Sequence, residues 1–273
     1  MNNKIILTFV LIAISYCIIA QKYPIRNFTV ANGLNSNATL CAFQNDDQKL
    51  WIGTTQGINI YDGINIYDAR ELFDFSNHVV YSINKYYGKI HIGTNDGLFV
   101  YDGDSLKSYH STEDGVLDFV YNTFKDKNGT IWVATEKGIK VFKEEQLVDT
   151  LINTPLHVIS IYSINQDSDG TLWFCSKMNG LFKYENNKIE AIQLYEPNES
   201  ELHFVAKINQ INDSTHWVCA RKGLYEVSNN SYKKIDSLGN INIQGIGFFD
   251  LLKTRNDELI LSGNDGNIYL IQK

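Results

Sequence analysis

Polar and charged side chains recur at one place in a phrase that the chain repeats, and these residues are the best suited to binding a ligand. The phrase starts with a large residue and ends at a glycine, as in residues 51–57 (WIGTTQG) and 132–138 (WVATEKG). Just before the glycine, the charge and hydrogen-bonding type change from copy to copy, which fits a binding site carried by a constant framework. The candidate ligand-binding residues are Gln56, Asn95, Asp96, Glu136, Lys177, Asn179, Arg221 and Asn264.

A second set of polar residues lies about fourteen positions before the first residue of each phrase, near the start of the strand that we expect to be innermost. Its members are Asn37, His78, Asp118 and His203. Histidine and aspartate are metal-ligating residue types. However, the same position holds Ile159 and Ile246 in the other two copies, and the polar members belong to different repeats. We therefore interpret them as a solvated channel rim and predict no metal site.

The chain lacks the sequence signatures of common catalytic sites. It has no G-x-S-x-G elbow, no H-E-x-x-H helix and no phosphate-binding glycine loop. Adjacent carboxylates such as Asp46 and Asp47 point to opposite faces of a strand and cannot act as a pair. The turns at 126–129 (DKNG) and 167–170 (DSDG) resemble the start of a calcium loop, but the bidentate Glu that should follow is missing. The same residues favour tight hairpin turns. We expect binding rather than catalysis, and no cofactor.

The framework behind these residues is a repeat of 40 to 44 residues. Within one copy, alternating residues 120–124 (VYNTF), a turn at 126–129 and residues 130–134 (TIWVA) predict a β-hairpin, and a third strand follows the glycine. A period of this length with strand patterning indicates one four-stranded blade per copy. The sequence thus predicts an all-β fold, a six-bladed β-propeller. The six copies begin their phrase at Trp51, His91, Trp132, Trp173, Trp217 and Ile260.

Ring closure is predicted from the two ends of the repeat array. The sixth copy stops at Lys273, before an outer strand. Residues 24–30 (PIRNFTV) resemble the outer strands of the other copies, so we predict that they complete the last blade and leave no exposed sheet edge. Residues 21–273 would then form a single propeller domain.

The repeated tryptophans are predicted to pack between blades rather than to stack on a ligand, because they keep one strand position. His91 replaces the tryptophan in the second copy, and we expect it to be partly buried. Cys175 and Cys219 occupy a position that holds Gly53 and Gly93 in other copies, which indicates small fillers on a crowded strand. An oxidising compartment would permit a bridge between them, but equivalent positions on neighbouring blades should lie beyond the roughly 7 Å Cα limit for a disulfide.

Residues 1–20 have the layout of an export signal: Lys4, an apolar stretch over 5–19, and Ala20 as the cleavage point. The stretch is shorter than the roughly 20 residues of a membrane-spanning helix. We expect cleavage, no stable membrane span afterwards, and a periplasmic or secreted location; a retained anchor and a lipoprotein at Cys17 are the alternatives. Loss of Lys4 changes the formal net charge from −7 to −8, which argues against a nucleic-acid partner.

Several segments resemble the two-component regulator propeller repeat, namely residues 33–37 (GLNSN), 51–58 (WIGTTQGI) and 61–63 (YDG). That repeat builds the periplasmic sensor region of hybrid histidine kinases in polysaccharide-degrading bacteria. The resemblance implies an extracytoplasmic, sensor-like recognition module that binds a glycan-derived ligand or a protein partner. Two alternatives stay open: a secreted propeller lyase or glycoside hydrolase, and a sensor fragment of a truncated two-component regulator.

Overall fold

The computed structural model describes residues 26–72, 75, 78–110, 119–192, 194, 204–228, 231–254 and 256–271, and these residues form an all-β fold. Their helical elements are three short 3-10 turns, Val30–Asn32, Ala69–Glu71 and Pro155–His157. Across these ranges, none of the helices is long and apolar enough to cross a membrane.

Consecutive antiparallel strands form the blades, and in each blade the first strand faces the central channel. Blades 1 to 3 have four strands each. Blade 1 consists of β1 (Thr39–Gln44), β2 (Leu50–Thr54), β3 (Gly57–Tyr61) and β4 (Ile66–Asp68). Blade 2 consists of β5 (Val80–Tyr86), β6 (Lys89–Thr94), β7 (Gly97–Tyr101) and β8 (Leu106–Tyr109). Blade 3 consists of β9 (Val120–Lys125), β10 (Ile131–Thr135), β11 (Gly138–Lys143) and β12 (Gln146–Asp149).

Blades 4 and 5 repeat this plan, and a two-stranded ribbon separates blade 5 from blade 6. Blade 4 consists of β13 (Ile161–Gln166), β14 (Leu172–Ser176), β15 (Leu181–Glu185) and β16 (Lys188–Ile192). Blade 5 consists of β17 (Val205–Asn212), β18 (Thr215–Ala220), β19 (Gly223–Ser228) and β20 (Ser231–Ile235). The ribbon is β21 (Ser237–Leu238) with β22 (Ile241–Asn242), and blade 6 is β23 (Phe248–Lys253), β24 (Leu259–Gly263) and β25 (Ile268–Ile271).

The first hairpin turns of blades 3 and 4 owe their geometry to an aspartate at their first position. One carboxylate oxygen of Asp126 accepts hydrogen bonds from the backbone N–H groups of Asn128 (2.9 Å) and Thr130 (2.8 Å). Its other oxygen accepts the indole N–H of Trp132 at 2.8 Å. In blade 4, Asp167 accepts the indole N–H of Trp173 at 2.7 Å. These aspartates therefore shape the turn and orient the tryptophan, as the hairpin interpretation predicts.

Neighbouring blades share hydrophobic cores, and the tryptophans lie in them as predicted. Trp173 packs in one core with Val205, Ile208 and Val218 of blade 5. Equivalent cores join blades 1 and 2, 2 and 3, 3 and 4, and 5 and 6. His91 is 2% exposed, stands next to the rings of Tyr86 and Phe142, and burial lowers its pKa to about 4.

The position two residues after each tryptophan is crowded, as expected. A Cβ on Gly93 would lie 2.6 Å from the carbonyl oxygen of Val120, and a Cβ on Gly53 would lie 2.4 Å from the Cys41 Sγ. Cys175 and Cys219 fill the equivalent positions of blades 4 and 5 and are fully buried. Both are free thiols in the structure.

The predicted closing strand at residues 24–30 is not confirmed. Residues 24 and 25 lie outside the described residues, and 26–29 do not form a strand. The Thr29 backbone N–H donates to the Asn32 side chain at 2.9 Å, and this local turn ends the extended chain. Arg26 donates to the Tyr61 hydroxyl at 3.0 Å, and the ring of Phe28 lies 4.9 Å from that of Tyr61. This part of the segment thus contacts blade 1, and blade 6 has three strands in the described part of the chain.

Candidate functional site

All six innermost strands contain a β-bulge at the same place. One residue near the start of each strand has no partner on the second strand of its blade. A bulge releases its residue from the ladder and re-aims the side chain, and bulges are frequent beside functional sites. Here the bulge residues line a central cavity of about 660 Å³. They are Leu40, Tyr81, Tyr121, Tyr162, Ala206 and Phe249.

Three tyrosines from adjacent blades make a continuous aromatic wall at this end of the cavity. The Tyr121 ring lies 5.0 Å from that of Tyr81 and 5.6 Å from that of Tyr162. Phe119 stacks on Tyr121 with an interplanar angle of 9°, and Phe204 meets Tyr162 edge-on at 4.8 Å. The wall therefore extends from blade 2 to blade 5.

The loops between second and third strands reach the same end of the channel because hydrogen bonds tie them to the residues preceding the innermost strands. The backbone N–H of Glu136 donates to the Phe119 carbonyl at 3.0 Å, and that of Lys177 donates to the Ser160 carbonyl at 3.0 Å. In blade 5, the Arg221 N–H donates to the Phe204 carbonyl at 3.0 Å. Charged loop residues are thus held beside the aromatic wall.

Glu136 and Lys177 form an ion pair around Tyr121. The Tyr121 hydroxyl donates to the Glu136 carboxylate. The Lys177 Nζ donates to the Tyr121 oxygen at 2.8 Å and to Glu136 at 3.2 Å, and it lies 4.9 Å from the centre of the Tyr121 ring. The Lys177 and Glu136 side chains are 42% and 38% exposed, so a ligand can reach both. We call Tyr81, Tyr121, Tyr162, Glu136 and Lys177 the channel mouth.

The protonation states in the channel mouth follow from these contacts. Burial acts to raise the pKa of Glu136, but the hydrogen bonds from Tyr121 and Lys177 outweigh it and lower the pKa below its ordinary value. Burial, together with the hydrogen bond to Glu136, raises the pKa of Tyr121. Burial also raises the pKa values of Tyr81 and Tyr162. At neutral pH the site therefore presents a carboxylate and neutral phenols.

Of the predicted ligand-binding residues, the structure brings Glu136 and Lys177 into one site. Asn95 and Asn264 instead serve the fold, because their side-chain oxygens accept the backbone N–H groups of Val79 (2.8 Å) and Gly247 (3.1 Å). Asp96 lies 4.0 Å from His110. The remaining three are exposed at their loops: Gln56, Asn179 and Arg221.

The predicted channel rim does not form a site in the described residues. The Asn37 side chain accepts the Val30 backbone N–H at 2.8 Å, so it holds the N-terminal turn. His78 stacks against Phe75 and Phe99 at 5.0 and 4.9 Å, which makes it a packing residue. Asp118 and His203 lie outside the described residues. No cluster of metal-ligating side chains occurs among the residues that the structure describes.

Sequence reasoning missed the three tyrosines, although a signal for them exists. The bulge residue precedes the first residue of the phrase by eleven positions in five copies and by ten in the second. Four of the six are aromatic, namely Tyr81, Tyr121, Tyr162 and Phe249. A large aromatic at a fixed offset on a channel-facing strand would have indicated the wall. The rim prediction sampled a position about three residues too early.

A family model described as "Two component regulator propeller" matches residues 115–137 and 155–177. These two segments contain Tyr121, Glu136, Tyr162 and Lys177. No curated protein matches the chain in sequence.

The fold is similar to that of solved propellers at low sequence identity. For the extracellular domain of the one component system BT4673 from B. thetaiotaomicron, the TM-score is 0.70 at 19% identity, covering 88% of this chain and 33% of that one. For PorZ, a surface component of the type-IX secretion system of Porphyromonas gingivalis, the TM-score is 0.60 at 11% identity, covering 90% and 41%. For the WD40 propeller domain of Doa1, it is 0.59 at 15% identity, covering 85% and 77%.

These identities show likeness of fold alone, and the chain spans about a third of the length of the BT4673 structure. The resemblance inferred from the sequence is confirmed by the family model. The chain is a β-propeller in which two segments match the two component regulator propeller repeat.

Proposed function

We propose that this protein is an extracytoplasmic, sensor-like recognition module that binds an oligosaccharide at the channel mouth. One observation carries the proposal: three tyrosines from adjacent blades, released from the strand ladder by bulges, line an open cavity beside an accessible Glu136–Lys177 pair. Aromatic faces accept the apolar C–H faces of sugar rings, while charged hydrogen-bonding groups fix hydroxyls and orientation.

The electrostatics of the channel mouth favour binding over acid catalysis. A general acid for glycoside cleavage needs a raised pKa, so that it holds a proton at working pH. The pKa of Glu136 is lowered instead, because Tyr121 and Lys177 stabilise its carboxylate. The similarity of the fold to the extracellular domain of a one component system supports a sensor role. The predicted export signal at residues 1–20 supports an extracytoplasmic location.

The proposal is tested by calorimetric titration of the purified protein with a panel of plant and host oligosaccharides. We expect at least one to bind, and Lys177→Gln to weaken its binding by about tenfold or more, because a charge-assisted hydrogen bond contributes roughly 1.5–3 kcal/mol. Tyr162→Leu should weaken binding through loss of the stacking face.

Lys125→Gln is the matched control. Lys125 also lies over a tyrosine ring, that of Tyr87 at 4.7 Å, but at the opposite end of its strand from the mouth. The Lys125→Gln variant should bind the oligosaccharide with unchanged affinity. If Lys125→Gln and Lys177→Gln weaken binding equally, the ligand does not occupy the channel mouth. If no oligosaccharide binds the folded protein and a protein partner does, the ligand class is wrong.

A further inference from the structure

Charge is distributed unequally around the channel mouth. The loops between second and third strands carry Lys137 in blade 3, Lys177 in blade 4, and Arg221 with Lys222 in blade 5. Another cation, Lys207 of β17, lines the cavity. The corresponding loops of blades 6, 1 and 2 carry Asn264 with Asp265, Gln56, and Asn95 with Asp96. One half of the mouth is therefore cationic, and the other half is neutral or acidic.

Composition does not explain this cationic half, because the chain as a whole has a formal net charge of −7. Two carboxylates accompany these cations. Glu136 is engaged by Tyr121, Lys177 and Ser160, and Asp250 of β23 lines the same cavity as Lys207 from the blade 6 side. For the remaining cations Lys137, Lys207 and Arg221, no carboxylate lies within ion-pair distance in the described part of the chain. Lys137 and Arg221 are exposed. These charges are available to a ligand.

The aromatic wall lies on the same half as the cations. Tyr121 and Tyr162 belong to blades 3 and 4, and Phe204, whose ring meets Tyr162 at 4.8 Å, precedes the innermost strand of blade 5. The Phe204 carbonyl also accepts the Arg221 backbone N–H, which places the arginine loop beside the wall. A sugar ring stacked on these faces would have its substituents next to Lys177 and Arg221.

We infer that the ligand of the channel mouth is an acidic oligosaccharide, one whose sugars carry carboxylate or sulfate groups. The inference rests on the proposed function and specifies its substrate class. Arg221 is suited to bind such a group because its guanidinium presents a planar pair of donors to two oxygens, while Lys177 and Lys207 act as point charges. The acidic groups of the ligand then face blades 3 to 5. Its hydroxyl groups face the neutral or acidic half of the mouth.

The test has two stages and uses the whole folded chain. A glycan array with uronate-containing, sulfated and neutral oligosaccharides first identifies what binds. Each acidic binder is then titrated beside its neutral counterpart, for example trigalacturonate beside its methyl ester. We expect the acidic form to bind at least tenfold more tightly, and its affinity to fall as sodium chloride rises from 0.05 to 0.5 M, because exposed charges are screened.

Variants separate the recognition of acidic groups from the binding of oligosaccharides in general. Arg221→Gln should weaken the acidic ligand by at least tenfold and leave any neutral ligand unchanged, while Lys125→Gln should change neither. If only neutral oligosaccharides bind, or if an acidic sugar and its methyl ester bind equally, the inference is overturned and the proposed function stands. If no oligosaccharide binds at all, both are overturned. If polyglutamate binds as tightly as the acidic sugar and competes with it, charge alone is recognised and the inference is overturned.

Discussion

Two blade faces that use the same strand positions differ in burial. One is the face of blade 4 that packs on blade 5, and the other is the face of blade 6 that is directed toward blade 1. Trp173 of blade 4 is 4% exposed in a core shared with blade 5, and its indole N–H shares Asp167 with His216 Nε2, each at 2.7 Å. In blade 6 the equivalent residue is Ile260, which pairs across the strands with Leu252 and Leu270. Those two leucines are 57% and 46% exposed.

The difference shows that a blade face is stabilised by the next blade and not by its own sheet. Within the described ranges, the five shared cores join blades 1 to 6 in order, and none of them joins blade 6 to blade 1. We call the junction of blades 6 and 1 the seam. There the ring of Phe28 lies 4.9 Å from that of Tyr61. The equivalent contact between blades 1 and 2 joins Trp51 and Tyr101, whose rings lie 6.1 Å apart. The N-terminal segment thus supplies on blade 1 the aromatic contact that blade 6 does not.

The largest contrast is expected from truncating equivalent residues. Trp173→Ala should lower the free energy of unfolding by about 3–5 kcal/mol, because it removes a buried aromatic and leaves a cavity. Ile260→Ala should cost less than about 1 kcal/mol, because no neighbouring blade covers that face. Urea unfolding followed by circular dichroism measures both. Equal losses would mean that the face of blade 6 is covered in solution.

His91 makes the stability of the interface between blades 2 and 3 depend on pH. Its pKa is about 4 in the folded protein and 6.5 ordinarily, so the unfolded chain binds more protons between these values. The stabilisation present above pH 6.5 is therefore lost as pH falls through about 4, at about 1.4 kcal/mol per pH unit and about 3 kcal/mol in all.

This prediction is checked by urea unfolding at pH 7 and pH 4.5. His91→Phe should reduce the loss of stability between the two pH values. His110→Phe, which changes a partly exposed histidine, should leave the loss as it is. If both variants behave like the parent, the interface of blades 2 and 3 does not set the acid sensitivity.

The three thiols report on how readily individual blades open within the folded protein. Cys41 lies on β1, where exposed and half-buried residues alternate, whereas Cys175 and Cys219 are fully buried. Burial raises the pKa of Cys41 to about 12 and that of Cys175 to about 11, so reaction at pH 8 requires local opening. We expect Cys41 to be alkylated at least tenfold faster than the other two. Mass spectrometry of quenched samples measures the rates, and uniform rates would mean that blade 1 opens no more readily than blades 4 and 5.

The smallest effect should come from the aromatic contact at the seam. A double-mutant cycle of Phe28→Ala and Tyr61→Ala should give a coupling energy of about 0.5–1.5 kcal/mol, the range of an aromatic pair. Thermal or urea unfolding of the four proteins supplies it. A coupling energy of zero would mean that Phe28 does not hold the N-terminal segment on blade 1.

Much of the fold was predictable because its determinants are local and repeated. Tryptophan at one strand position, a polar turn before it and a small residue after it recur at a fixed period, and in blades 3 and 4 the aspartate of the turn accepts the tryptophan N–H. The closing strand was not predictable in the same way, since a short polar edge strand has weak register. Here Thr29 and Asn32 form a local turn instead.

Part of the candidate site follows from the sequence. Glu136 and Lys177, which belong to the channel mouth, could be named because charge varies at a constant loop position. Asn95 and Asn264 bond backbone N–H groups in the structure, because an amide at a loop tip bonds a backbone N–H as readily as a ligand. The tyrosines were missed because a bulge changes which way a side chain points without changing the strand pattern.

The six bulges have a consequence for how such a protein diversifies. Each bulge residue is unpaired with the second strand of its blade, and most are partly exposed to the cavity, so exchange at these positions leaves the ladder on either side intact. Leu40, Ala206 and Phe249 already show that side chains of different sizes are accepted there. Single substitutions at these six positions can therefore change ligand specificity while the strands that hold them stay the same. A designed library confined to them would sample new recognition without resampling foldability.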